Sequence, residues 1–208
     1  MKKTVFDPDS VIQHSTNIDR FVPPYPGWNY VRILNHPEDP NEYNMGRCGK
    51  WLLFVPNKDF IDVFRKIAKL AKELKLTHCF KASGSPSEKG EHVFCIYCSD
   101  CSNISFVRKI ANVLLINGFL DGYGYRYRDG TKALYFKTDS ATEYKSESRG
   151  QSLTLFRFTD KKELFVKEFY DGKPSWKLIT NDADSSVIEN FEIYLTTLEM
   201  NEANGWNF

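Results

Sequence analysis

The chain of 208 residues suits one domain, or one domain with an appendage, at roughly 150 residues per domain. With 41% hydrophobic and 15% aromatic residues it holds ample material for a packed core, which excludes disorder along the whole chain. The 28 basic residues against 27 acidic ones leave a net charge of +1, which argues against nucleic acid as a partner and against a polybasic membrane binder.

Residues 1–27 are polar and end in Phe21-Val22-Pro23-Pro24-Tyr25-Pro26-Gly27, whose prolines predict an extended arm on the surface. No apolar run follows the first lysines, so no secretory leader is expected. No stretch approaches the ~18 consecutive apolar residues that span a bilayer. Residues 28–34 read as a first strand, and the apolar run 50–55 as a buried strand that stops at Pro56. Asn57 then stands where a helix cap is expected. Phe60, Phe64, Ile67, Ala71 and Leu74 recur at spacings of three and four, which predicts one buried helix face with Lys58, Arg65, Lys66, Lys69 and Lys72 largely outside it.

Residues 77–82 and 92–98 read as the next two strands. Asn103 is placed to cap a second helix with Phe106, Ile110, Val113 and Leu114 inward, and Gly118 to end it. Short strands follow near 123–127 and 133–137, then a polar loop over 140–151. Residues 153–158, 163–170 and 175–179 predict a three-strand meander with Asp171-Gly172 turning its second hairpin. Ser185 begins a last helix, in a segment that carries carboxylates and no Lys or Arg from Asp182 onward. The expected fold is α+β, a mostly antiparallel curved sheet with helices on one face, plus a C-terminal meander and helix. The expected organisation is an arm over 1–27, a core domain over 28–149 and an extension over 150–208.

Cys95, Cys98 and Cys101 form a C-x-x-C-x-x-C run. Cys95 and Cys98 fall on opposite faces of a continuing strand and no second cluster completes four ligands, so no metal site is expected. The odd cysteine count suits reduced thiols, hence a cytoplasmic setting. No Gly-x-Gly-x-x-Gly or Walker lysine motif is present, and no cofactor is expected.

A set of motifs carries a family resemblance over about residues 28–137. These are Gly49-Lys50-Trp51-Leu52-Leu53-Phe54-Val55-Pro56 leading into a helix, Phe80-Lys81-Ala82, Val93-Phe94-Cys95-Ile96-Tyr97 with Asp100, Asn117-Gly118-Phe119, and Tyr125-Arg126-Tyr127-Arg128-Asp129-Gly130-Thr131. In this order the chain resembles the basophilic-leukaemia-expressed protein family and its bacterial relatives labelled as phosphothreonine-lyase-domain proteins. The resemblance implies a cap-binding-protein-like fold. It also implies removal of phosphate from phosphothreonine by β-elimination.

Such a lyase needs a base for the α-proton, an acid for the departing oxygen, and cations that hold the phosphate. The resemblance places Lys50 at the phosphate-polarising position and Lys81 at the base, with Leu52 where the family's general-acid histidine belongs. Tyr97, Arg126, Arg128 and Arg149 are the expected phosphate contacts, and His78 and His92 the substitute acids. The expected ligand is a phosphorylated peptide or a small phospho-ligand in a cationic pocket. Two alternatives stand beside it. One is a cap-like binder that stacks a base between tryptophans drawn from Trp28, Trp51 and Trp176, although Trp51 in its buried run reads as core. The other is a protein partner docked through the C-terminal extension, where Trp206 and Phe208 leave two large aromatics at the chain end.

Overall fold

The computed structural model describes residues 18–19, 27–33, 47–127, 130–143, 154–170 and 173–181. The strands are β1 (Ile18–Asp19), β2 (Trp28–Ile33), β3 (Gly49–Pro56), β4 (Cys79–Ser83), β5 (Glu91–Cys98), β6 (Tyr125–Arg126), β7 (Lys132–Thr138), β8 (Phe156–Thr159), β9 (Leu164–Tyr170) and β10 (Lys173–Leu178). The helices are α1 (Phe60–Leu74), α2 (Ile104–Ile116), α3 (Phe119–Tyr123) and α4 (Asp139–Glu143). One sheet holds all the strands in the order β1-β2-β4-β5-β3-β7-β8-β9-β10, with β6 paired to β7 off this path. Each pairing among the described residues is antiparallel. The fold is α+β, as the sequence predicts.

Helix α1 follows from its pattern: Phe60, Val63, Phe64, Ile67, Ala68, Leu70 and Ala71 are buried along one side. Two expectations about it need correction. Asn57 does not cap it, because Asn57–Asp59 forms a 3-10 turn and the helix begins one turn later, behind Asp59. The Asn57 side-chain oxygen meets His92 Nε2 at 3.0 Å instead. Leu74 is 49% exposed, since the helix stops there and Lys75 turns left-handed at φ 47°. Helix α2 has its expected cap, with Asn103 Oδ1 accepting from the Phe106 amide at 3.1 Å. Gly118, at φ 77°, ends that helical stretch in a conformation that suits glycine.

The strand expected over 123–127 is shorter than predicted. A helical turn, α3, buries Phe119 and Leu120 first and leaves only Tyr125–Arg126 to pair with β7. The loop expected from residue 140 opens instead with α4, whose Ala141 amide donates to Thr138 Oγ1 at 3.2 Å. The meander is present as β8, β9 and β10, and β8 pairs with β7, so these strands continue the same sheet. The Asp171-Gly172 turn and the helix expected after Ser185 lie outside the described residues. So does the N-terminal arm, apart from β1 and Gly27.

Residues directly opposite each other in paired strands share a face, so the register sorts the side chains. Val31, Trp51, Leu53, Phe80, Phe94, Ile96, Phe136, Phe156 and Phe158 point toward α1 and α2 and form the main core with them. On the far side of the sheet, Leu52, Cys95, Tyr97 and Tyr135 form a smaller buried patch, with Trp28, Phe54 and Tyr125 packed against it. Among the described residues no helix is long and apolar enough to cross a membrane.

Candidate functional site

The far face of the sheet gathers most of the chemistry. Its central row runs Tyr30–Lys81–Cys95–Leu52–Tyr135–Arg157–Phe165 across seven strands, each residue paired with the next. A second row, one residue pair further along, runs Tyr97–Lys50–Lys137. The period-2 alternation of extended backbone therefore delivers three of the predicted side chains, Lys50, Lys81 and Tyr97, to one face.

Tyr97 is their meeting point. The ammonium groups of Lys50 and Lys81 each lie 5.5 Å from its ring centroid. Lys81 also sits 4.6 Å from the Trp28 ring and 5.2 Å from the Tyr30 ring, and donates to the Tyr30 hydroxyl at 3.1 Å. This is an aromatic cage, and three ring faces attract a cation. Burial pushes the Tyr97 phenol well above the usual tyrosine range, so it stays protonated as a hydroxyl donor.

Lys50 is 4% exposed and forms an ion pair with Asp139, itself 6% exposed. Backbone geometry fixes this pair. Gly49 faces Thr138 in the register, and the Asp139 amide donates to Cys48 O at 2.8 Å, which sets the first residue of α4 against Lys50. Lys137 stands directly across from Lys50, and burial together with the Lys50 charge pulls its amine below the ordinary lysine range. Lys167, 6% exposed on β9, is pulled down to about 8 by burial and by the Lys137 charge. Lys50, Lys81, Lys137, Arg157 and Lys167 thus share one face with a row of aromatic and apolar side chains, and Arg32 joins them at the β2 edge.

The other predicted residues are placed differently. Arg126 is exposed and donates to Gly130 O at 3.3 Å, because alternation gives the far face to its neighbour Tyr125, which packs on Tyr135 and Phe54. Arg128 and Arg149 lie outside the described residues. His92 is on the helix side, its ring 4.2 Å from Phe60 and its nitrogens engaged by Ser83 O and Asn57 Oδ1. It is a core histidine, not a substitute acid for Lys81. His78 is buried just before β4, its ring 6.5 Å from that of Tyr97. Leu52 closes the floor between Lys50 and Phe54, so the position of the expected acid is apolar.

Trp51 belongs to the main core, its indole donating to Val107 O at 3.1 Å. Trp28 and Trp176 lie on β2 and β10, near opposite ends of the strand order, so these three tryptophans do not pair around one base. Cys95 faces Lys81 but is buried, which pushes its thiol up to about 11, and Cys98 lies on the helix side. Among the described residues no three His, Cys, Asp or Glu side chains gather to hold a metal ion.

Sequence reasoning missed Asp139, Lys137, Arg157, Lys167 and Tyr30, and it offered Trp28 for stacking a base and not as a ring partner of Lys81. A signal existed for one of them: Arg157, between Phe156 and Phe158, holds the alternate position in a predicted strand. No protein-family model matches the chain, and no curated protein matches it at a significant level.

Proposed function

We propose that the far face of the sheet binds a phosphorylated ligand, with Lys81 as the cation that holds its phosphoryl group, Tyr97 as the hydroxyl donor beside it, and the Lys50–Asp139 pair as the buried support behind Tyr97. One observation carries this reading: both ammonium groups converge on the ring of Tyr97, over a floor of Leu52, Cys95 and Tyr135. Lysine heads supply point charges for phosphate, and a floor of apolar and aromatic side chains takes the part of the ligand that carries it. Lys137 adds a further positive charge beside Lys50.

The β-elimination implied by the family resemblance asks a neutral amine of Lys81. The cage of Trp28, Tyr30 and Tyr97 suits an ammonium better, and Leu52 supplies no acid. Binding is therefore the reading we adopt.

Fluorescence anisotropy of a labelled phosphothreonine peptide tests it, with the unphosphorylated peptide for comparison. The expected result is binding only of the phosphorylated form, weakened about tenfold or more by Lys81→Ala and unchanged by Lys69→Ala on the exposed side of α1. Equal binding of both peptides would overturn the reading. Mass spectrometry of the recovered peptide completes the experiment. An intact phosphopeptide supports binding alone, whereas a dehydrated product would contradict the non-catalytic form and return Lys81 to the role of base.

A further inference from the structure

A second cationic group on the same face lies beyond the segment that carries the family resemblance. Arg157 projects from β8 between Tyr135 and Phe165 in the register. Its guanidinium carbon is 4.9 Å from the Phe165 ring centroid, 5.1 Å from that of Trp176 and 5.4 Å from that of Tyr127. Rings from three separate segments therefore hold one planar cation. Lys167 approaches the same indole, with its ammonium 5.1 Å from the Trp176 centroid.

Aromatic rings orient a guanidinium but accept none of its N–H bonds in the plane of the fork. Arg157 Nε is buried and makes no hydrogen bond among the described residues. No carboxylate among them pairs with this guanidinium, in contrast to Lys50, which Asp139 neutralises. A desolvated N–H on a charged group is costly to leave without an acceptor. Stacked by its faces, the fork is left with its edge as the direction for an in-plane partner. The chemistry that fits a guanidinium edge is a planar pair of anionic oxygens, and a neighbouring ammonium adds charge to hold them.

We propose that Arg157, stacked against Phe165, Trp176 and Tyr127 and flanked by Lys167, is an oxyanion subsite for a phosphate-type anion, separate from the Lys50–Lys81 group. It lies two strands from Lys50, about 10 Å across the sheet at the usual strand spacing. The anion is either a free phosphate or a second anionic group on the ligand proposed above, and only the latter rests on that reading. Arg157 supplies the edge-on pair of donors, Trp176 holds the fork in place, and Lys167 contributes charge.

Crystals of the full chain soaked in tungstate, an anomalous scatterer that mimics phosphate, locate the anions directly. The subsite predicts a peak at the edge of Arg157 that Arg157→Gln removes while any peak beside Lys50 and Lys81 persists. A peak beside Lys50 and Lys81 only would overturn the inference and leave the proposed function standing. A peak at Arg157 only would uphold the subsite and count against the function. No peak at either place would contradict both. Arg157→Lys, which keeps the charge and loses the fork, guards against misfolding of the glutamine variant: calorimetric titration with inorganic phosphate is expected to show affinity lower by about tenfold. Unchanged affinity would contradict the guanidinium role. Repeating the titration with the phosphothreonine peptide at saturation separates the two sources of anion. Loss of phosphate uptake means the peptide itself fills the subsite, and retained uptake means a free anion does.

Discussion

Lys50 and Asp139 are both nearly sealed from solvent, so each depends on the other. Removing two charges from water is expensive, and their attraction offsets that cost only while both remain. Asp139→Asn is expected to destabilise the fold by about 3–5 kcal/mol by stranding a buried ammonium. The double variant Lys50→Met with Asp139→Leu is expected to lose far less. Urea unfolding of the three proteins checks this, and equal losses in single and double variants would show that the pair is not a unit. At this scale the sequence was half informative. It marked Lys50, Lys81 and Tyr97 through the family resemblance and not through any local pattern; the period-2 alternation of their strands accounts for their sharing a face. Asp139 was missed because it begins a short helix at the end of β7, where the sequence reads as polar loop. Its partnership with Lys50 spans 89 positions, and no local pattern reports such a contact.

At the scale of elements, the site depends on how β3 meets β7. Gly49 opens β3 against Thr138, and a Cβ at that position would press into the Phe136 ring and approach Lys137 O to 2.8 Å. Both neighbours are fixed, one by the core and one by the ladder, so neither can yield cheaply. Gly49→Ala is expected to cost about 1–3 kcal/mol, the usual range for overpacking. It would also shift the ends of β3 and β7 that carry Lys50, Lys137 and Asp139. Thermal unfolding gives the first effect, and loss of phosphopeptide affinity beyond the loss of stability gives the second. Wild-type stability would mean that the two strands have more room than the structure shows. Helices α1 and α2 were legible, since their periodicity needs no partner to be seen. The turn of α3 was not: Phe119, Leu120 and Tyr123 suit a short strand as well as a helical turn, and burial against β3 and β7 decides between them.

For the molecule as a whole, a balance of +1 conceals a gathering of cations on one face of the sheet. Among the described residues Lys50, Lys81, Lys137, Arg157 and Lys167 share the far face, with Arg32 at its β2 edge opposite Asp19, and Asp139 pairs with Lys50. Composition reports a sum and cannot report where the charge sits. The fold class was legible because alternating and helical periods follow one another along the chain. The strand order was not, since β3 lies between β5 and β7 and the meander is joined to the sheet through β7. That order places the lysines of β3, β4 and β7 on one face of the sheet with the arginine of β8. The most direct test is a titration of the 15N-labelled protein with a phosphothreonine peptide, followed by amide chemical shifts. The account predicts shifts concentrated at Tyr30, Lys50, Lys81, Tyr97 and Lys137, and none along the exposed side of α1 at Arg65, Lys69 and Lys72. Shifts confined to α1, or none at all, would contradict it.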